Sequence, residues 1–357
     1  MNTLKTAIIA FRQKNAYFPS ETLDSVIDLL NGNNFSVDVV TVIHADDKES
    51  FKETFARLDG YFVLVLNSSH NEYEICEAID GFDKINHVFS DGERKVMIVE
   101  DSPRYLKIIE KRFLPELITA SGTDFGKVTF KLFGVEERAL RLKLDEIAYG
   151  IGGIRFNVIG EFLDYKVEII YDRKSTKMSY DEAQKAFINA FKDNIYAECD
   201  VSLQQRLVDV LKLRRCMIST AESFTGGNVA RKIVSVSGAS EVFYEGIASY
   251  NSEAKIARLG VERATINKFK PVSGEVASAM AKGLMTSGKV NVGISTTGIA
   301  GPNSDDSDFP VGLCYIGVAF DGRINVYKYN FDGDRNAVIN KGTNAAMFLA
   351  VKTLKDI

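Results

Sequence analysis

Short apolar runs that alternate with helical stretches are the feature that most constrains the fold of this chain. "TAIIAF" (6–11) and "GYFVLVLN" (60–67) are apolar apart from their ends, and a helical stretch at 20–31 separates them. A strand without polar alternation has to be covered on both faces, which is typical of a parallel sheet with helices on either side. Residues 1–125 are therefore predicted to form a doubly wound α/β domain.

From Val128 onward the pattern changes to that of a small α+β module. We expect helices at 136–147 and 180–193, and strands at 128–133, 154–159 and 163–171. We assign residues 126–200 to this module, which is KH-like.

Residues 201–357 predict a three-layer α/β domain with a mixed sheet. The expected strands lie at 215–220, 246–250, 291–296, 311–320 and 323–331. Because a short Asp-Gly turn joins the last two, they should form an antiparallel pair. A long closing helix should begin near Asp334.

The composition excludes several classes of protein. The chain is 45% hydrophobic and 26% charged with a net charge of −4, which gives no reason to expect nucleic acid or an anionic membrane as the main partner. It contains no apolar run long enough to span a bilayer. The first stretch, "MNTLKTAIIAFRQKN", predicts a strand and not a secretory signal. Four scattered cysteines predict a reduced, cytoplasmic protein without a zinc site or disulfide framework.

Three loops of the last domain join strands to helices, where ligands and catalytic groups often lie. In "TAESFTGGNVA" (220–230), Thr225, Gly226 and Gly227 should leave unpaired N–H groups at a helix start. A helix cap is the alternative interpretation, and the residues alone favour it.

The other two loops each allow two interpretations, which the sequence supports equally. In "TTGIAGPNSDDSDFPVG" (296–312), Gly298 and Gly301 allow a ligand to approach the backbone closely, or they belong to a surface loop. In "FDGDRNAV" (331–338), Asp334 can cap the last helix. That leaves Arg335 in its first turn, either binding an anion or solvated.

"SVSGASEVFYEGIASYNSEAK" (235–255) brings Ser240, Tyr250 and Lys255 into one short run. A serine needs a base, which a lysine can be if burial or a neighbouring cation such as Arg335 lowers its pKa. A tyrosine can orient or relay the proton. On spacing alone, a turn serine, a core tyrosine and a solvated lysine remain the better interpretation.

These stretches, with "VSGEVASAMAKG" (272–283) and "PVGLCYIGV" (310–318), resemble the C-terminal domain of the CinA family over residues 203–357. That domain is similar to nicotinamide-mononucleotide (NMN) deamidase, which hydrolyses the NMN carboxamide to nicotinic acid mononucleotide and ammonia. The resemblance implies a homodimer without metal or cofactor. It implies Ser240 as nucleophile with Tyr250 and Lys255 as catalytic partners. The implied substrate-binding residues are Ser223, Thr225, Gly226, Gly227, Thr297, Gly298, Gly301 and Arg335.

The N-terminal part resembles a degenerate form of the family's molybdopterin-binding-like domain, which hydrolyses ADP-ribose. "FRQKNAYF" (11–18) replaces Gly-Thr-Glu-Leu, and "NSSHNEYE" (67–74) replaces Gly-Gly-Leu-Gly-Pro-Thr. We therefore expect no ADP-ribose hydrolase activity. In the last domain Phe224 replaces a cysteine, and "NSDDSDF" (303–309) replaces a glycine pair and a lysine. The alternative to an enzyme is a binding or regulatory protein whose sites have decayed.

Overall fold

The computed structural model describes residues 4–12, 22–33, 35–67, 79, 88–122, 125–172, 176–304 and 309–355. The chain divides into two compact units. The first comprises Met1–Val128, Ala148–Asn157 and Glu168–Gln184, and the second comprises Thr129–Ile147, Val158–Val167 and Lys185–Ile357. The expected middle module, 126–200, is shared between these units, and its separation as a third domain stays a prediction.

The first unit contains a five-stranded sheet in the order β2-β1-β3-β5-β4. Its strands are β1 (Thr6–Arg12), β2 (Val39–His44), β3 (Phe62–Asn67), β4 (Val88–Asp91) and β5 (Arg94–Glu100). Neighbouring pairs are parallel except β4 with β5. The helices are α1 (Leu23–Asn31), α2 (Lys48–Ala56) and α3 (Leu106–Ser121).

The central strands of this sheet are covered on both faces. β1 and β3 are buried along nearly their whole length. Their alternate residues enter two apolar clusters: Ile8 and Leu64 pack with α1 and α3, and Ile9 and Val65 with α2. This confirms the doubly wound arrangement. The sequence analysis did not predict β4.

A four-stranded sheet has the order β7-β8-β6-β9. It consists of β6 (Phe125–Phe133), β7 (Ile154–Glu161), β8 (Asp164–Asp172) and β9 (Ile195–Ala197). Two helices belong to the same stretch of chain, α4 (Glu137–Ile151) and α5 (Lys177–Phe191). All the predicted elements of this stretch are present, and β9 is added.

The second unit contains the sheet that positions the candidate site, with the order β11-β10-β12-β13-β14. Its strands are β10 (Ile218–Glu222), β11 (Phe243–Ala248), β12 (Val292–Gly298), β13 (Leu313–Phe320) and β14 (Arg323–Asn330). The first three strands in this order are parallel, and β13 and β14 are antiparallel to their neighbours. The predicted mixed sheet is confirmed.

Helices cover both faces of this sheet. They are α6 (Leu203–Arg214), α7 (Asn228–Val234), α8 (Ser252–Leu259), α9 (Arg263–Phe269), α10 (Gly274–Leu284) and α11 (Arg335–Lys355). Ile218 packs with α6, α7 and α11, whereas Ala221, on the opposite face of β10, packs with α8, α9 and α10. The domain therefore has three layers.

The strand order determines where a ligand can bind. β10 lies between β11 and β12, so the chain leaves β10 towards one side and later returns on the other. In open α/β sheets, ligands bind at such a switch point, beyond the carboxyl ends of the strands. Here those ends are Glu222 of β10 and Gly298 of β12. Within the described chain, no helix has both the length and the apolar character needed to cross a bilayer.

Candidate active site

Lys255 lies in the first turn of α8 and is only 1% exposed. Its Nζ donates to three oxygen atoms: Ser249 O at 2.8 Å, Ser223 Oγ at 3.0 Å and Tyr250 O at 3.2 Å. None of these partners carries a charge. Burial lowers the pKa of Lys255 to about 8, because the ammonium loses its water shell without gaining a carboxylate. Of the two causes that the sequence left open, burial and a neighbouring cation such as Arg335, burial is the one that lowers this pKa.

Strand pairing brings Ser223 to Lys255 although 32 residues separate them. β10 and β11 pair in parallel with Glu222 beside Ala248, so the residues that follow, Ser223 and Ser249, lie next to each other. The Ser249 N–H donates to Glu222 O at 2.8 Å and fixes this register. The side chain of Lys255 then reaches both strand ends from α8.

Glu222 is a buried carboxylate at the end of β10 that the sequence analysis missed. It accepts hydrogen bonds from two threonine hydroxyls and from three N–H groups at the start of α7. The donors are Thr220 Oγ1 (3.2 Å), Thr225 Oγ1 (2.7 Å), Gly227 N (3.0 Å), Val229 N (3.0 Å) and Ala230 N (2.8 Å). These bonds compensate for burying the charge, and the helix N-terminus favours it.

This carboxylate supports the helix-cap interpretation of the Thr-Gly-Gly run over the alternative of unpaired N–H groups. The Gly227 N–H donates to Glu222, and the Gly226 N–H donates to Ser223 O at 3.1 Å. The Thr225 hydroxyl also contacts Thr296 Oγ1 at 2.7 Å. Substrate binding by Thr225, Gly226 and Gly227 stays a prediction, but the N–H groups of the two glycines already have partners within the chain.

Arg335 connects two of the predicted site residues. Its guanidinium donates to Gly301 O at 2.6 Å and to Tyr250 Oη at 3.3 Å. Asp334 caps α11, as predicted, by accepting from Ala337 N at 2.8 Å. The Tyr250 side chain is 63% exposed. Tyr250 therefore contacts Lys255 through its carbonyl group, while its hydroxyl contacts Arg335.

Ser240 lies apart from this set of contacts. It is exposed in the short 3-10 helix Ala239–Glu241, before β11. Both Ser240 and Lys255 belong to the described chain, and the hydrogen bonds of Lys255 do not include Ser240. Catalytic hydrogen bonds are often long before substrate binds, and the role of Ser240 as nucleophile stays a prediction.

The remaining predicted residues lie at the end of β12 and in the loop after it. Thr297 is buried, and its hydroxyl donates to Pro271 O at 2.8 Å. A Cβ at Gly298 would lie 2.5 Å from the Cβ of Cys314 on β13. Gly301 has a φ of 85°, and a Cβ there would lie 2.7 Å from Val311 Cγ1. Packing within the chain therefore explains both glycines without a ligand.

Some predicted features lie outside the described residues. They include the altered loop at 305–308, with Asp305, Asp306 and Asp308, and the replaced N-terminal segments at 13–18 and 68–74. Within the described part of the chain, no group of three or more His, Cys, Asp or Glu side chains is placed to hold a metal ion.

Known proteins resemble this chain most clearly in its C-terminal part. Residues 200–354 match the family model described as the CinA C-terminal domain. A CinA-like protein of Kosmotoga olearia is 47% identical over 265 residues, which cover 73% of this chain and 64% of that protein. A protein of Clostridium acetobutylicum named as competence-damage inducible is 42% identical over 156 residues, 44% of this chain and 38% of its own length. The chain thus spans less than two thirds of the length of these relatives.

Several solved structures also resemble part of this chain. The crystal structure of a CinA superfamily protein from Klebsiella pneumoniae is 28% identical, covers 43% of this chain and 97% of its own, and has a TM-score of 0.43. A competence/damage inducible protein from Agrobacterium tumefaciens is 30% identical, with coverages of 43% and 93% and a TM-score of 0.41. By the family model, residues 200–354 of this chain form a CinA C-terminal domain, and its sequence relatives include a CinA-like protein.

Proposed function

We propose that the domain at 201–357 hydrolyses the carboxamide of NMN to nicotinic acid mononucleotide and ammonia by serine–lysine chemistry. The environment of Lys255 is the observation that supports this proposal. It is buried, it contacts a serine hydroxyl at 3.0 Å, and its pKa lies at about 8. A lysine with that pKa is neutral in about one molecule in ten at pH 7, so it can accept a proton.

The hydrogen bonds of Lys255 suit a base. A neutral amine has two N–H groups and one lone pair. The carbonyl oxygens of Ser249 and Tyr250 can only accept, so they take the two N–H groups. The lone pair then faces the Ser223 hydroxyl, which becomes the donor when Lys255 is neutral. In this conformation Ser223 is the group that passes a proton to Lys255.

The chemical steps need no group beyond serine, lysine and water. The serine Oγ attacks the carboxamide carbon while its proton passes to Lys255 Nζ. The C–N bond breaks, and ammonia leaves with the proton that the lysine ammonium returns. Water then attacks the acyl-serine and gives its proton to Nζ. The ester C–O bond breaks, the serine Oγ recovers that proton, and the carboxylic acid is released.

Two serines compete for the role of nucleophile. The family resemblance implies Ser240, and we propose that assignment, with Ser223 as the hydroxyl that holds Lys255. The 3.0 Å contact supports the reverse assignment, in which Ser223 attacks directly. In either case, the loss of Lys255 removes the base.

The experiment measures ammonia release from NMN and then locates the acyl group. Ser240→Ala, Ser223→Ala and the control Ser235→Ala, an exposed serine of the same region, are compared with wild type. We expect Ser240→Ala to abolish turnover without unfolding the protein, and Ser235→Ala to retain it. Wild-type turnover in folded Ser240→Ala would refute that assignment.

Trypsin separates the two candidate serines, because Ser223 lies in the peptide 216–231 and Ser240 in the peptide 233–255. Mass spectrometry of quenched, digested enzyme should therefore show the nicotinoyl nucleotide adduct on 233–255. An adduct on 216–231 would identify Ser223 instead. Failure of the wild type to release ammonia at any pH would favour the non-catalytic alternative.

The cytoplasmic location predicted from the cysteines and the homodimer implied by the resemblance belong to the same proposal. Sedimentation of the purified protein measures its oligomeric state, for which we expect a dimer.

A further inference from the structure

A cavity of about 610 Å³ lies within the second unit. This volume falls within the range of small-molecule sites, about 300–1,000 Å³. None of its lining residues is among those of the candidate active site. Its lining comes mostly from β14 and α11, with contributions from residues 133–134, 193–194 and 320–321.

One face of β14 and one face of α11 form most of its wall. Alternate residues of a strand share a face, and the lining residues of β14 are all odd-numbered, from Arg323 to Tyr329. Residues of a helix that are four apart also share a face, as Phe348 and Leu349 do with Lys352 and Thr353. β14 is the edge strand of the sheet.

The wall is rich in aromatic rings. Phe133 and Phe348 pack with their ring centroids 5.1 Å apart, and Tyr329 stacks on Phe331 at 4.9 Å. Tyr327 and Phe320 complete the aromatic lining. Aromatic side chains offer flat surfaces on which a planar ring can stack.

The polar groups of the cavity leave two possible contacts for a ligand. Thr353 Oγ1 is buried and has no hydrogen-bond partner in the described chain, which is unusual for a buried polar atom. Arg323 has no ion pair among the described residues. Lys352, in contrast, is paired, since its Nζ lies 3.9 Å from Asp193 Oδ1. The second acid of the lining, Asp321, lies in the turn before β14.

We propose that this cavity binds a nucleotide-sized ligand with an aromatic ring and an anionic group. The ring lies against the aromatic wall, the anionic group pairs with the Arg323 guanidinium, and a polar atom of the ligand satisfies Thr353 Oγ1. A guanidinium is well suited to phosphate or carboxylate, because its planar fork of donors matches their oxygens. This site is additional to the amidase function and does not depend on it.

The test measures binding of AMP to the full chain by isothermal titration. AMP carries both features, adenosine lacks the anion, and ribose 5-phosphate lacks the ring. We expect saturable AMP binding, with each partial probe at least about tenfold weaker. Arg323→Gln should weaken AMP binding about tenfold, and Thr353→Val should also weaken it. Lys328→Gln, on the opposite face of the same strand, should leave it unchanged.

Three results would overturn the proposal. The first is the absence of saturable AMP binding by folded wild type. The second is equal affinity in Arg323→Gln and Lys328→Gln. The third is loss of AMP binding in Lys255→Ala with retention in Arg323→Gln, which would place the probe in the candidate active site. Each measurement is independent of whether the protein hydrolyses NMN.

Discussion

Replacing Lys255 by arginine tests the base directly, because arginine keeps the charge but does not deprotonate in proteins. Burial shifts the pKa of Lys255 from 10.5 to about 8. Each pKa unit corresponds to about 1.4 kcal/mol, so the folded domain destabilises the charged form by roughly 3 kcal/mol. The wild type can form a neutral amine at moderate pH, whereas Lys255→Arg cannot.

We expect Lys255→Arg and Lys255→Ala to lose activity equally, by the factor of about 10² to 10⁴ that general base catalysis contributes. Wild-type kcat/KM should rise with pH through a single ionisation near the pKa of Lys255, about 8, because only the deprotonated amine accepts the serine proton. Ammonia release is measured from about pH 6 to about pH 10. Circular dichroism checks that each variant is folded.

Substantial turnover by Lys255→Arg would show that Lys255 only positions the substrate. A wild-type profile without an inflection below the ordinary lysine pKa would contradict the desolvation argument. The pH profile tests desolvation independently of the arginine variant, because it is measured on the wild type alone.

Three further predictions concern the rest of the chain. Glu222→Gln should lower the free energy of unfolding by about 2 kcal/mol, because an amide cannot accept all five hydrogen bonds of the carboxylate. The control Glu245→Gln, at an exposed position, should change the free energy of unfolding by less than about 0.5 kcal/mol. Urea unfolding measures both variants, and equal values would contradict the role of Glu222. The full chain should produce no AMP from ADP-ribose with Mg²⁺ or Mn²⁺, and metal-dependent AMP production would refute this. Lys255→Met should raise the unfolding temperature at pH 7, because it removes a buried charge that destabilises the folded state. An unfolding temperature below that of the wild type would contradict this destabilisation by the buried charge.

The sequence predicted the long, buried elements of the fold and missed the short ones. β1 and β3 are continuous apolar runs, which reveal a covered strand without any tertiary information. β4, with four residues, and β9, with three, form only by pairing with strands that are distant or joined by a turn. α9, Arg263–Phe269, has only Ile266 buried, too little for a helical apolar pattern.

The sequence analysis named Lys255, Tyr250 and Ser223, but not the contacts that the structure shows among them. Lys255 and Tyr250 stand five residues apart in the sequence, and a carbonyl contact does join them. The hydroxyl partner of Lys255 is Ser223, because parallel pairing of β10 and β11 brings their ends together. No local pattern reveals such a register. Glu222 offered one clue: an acidic residue just before a Thr-Gly-Gly helix start is well placed to accept its N–H groups.

Desolvation of Lys255 links the proposed activity to the stability of the folded chain. The pKa of Lys255 is about 8 in the folded chain and close to 10.5 when unfolded. Below the folded value both states bind the proton, so the folded protein bears the full cost of the buried charge. Between the two values the unfolded state binds more protons, so stability rises with pH and levels off above the unfolded value. The carbonyl groups of Ser249 and Tyr250 limit this cost by accepting from Nζ in either charge state. A carboxylate in their place would stabilise the ammonium and remove the base, which is the physical reason that a buried lysine without an anionic partner indicates catalysis.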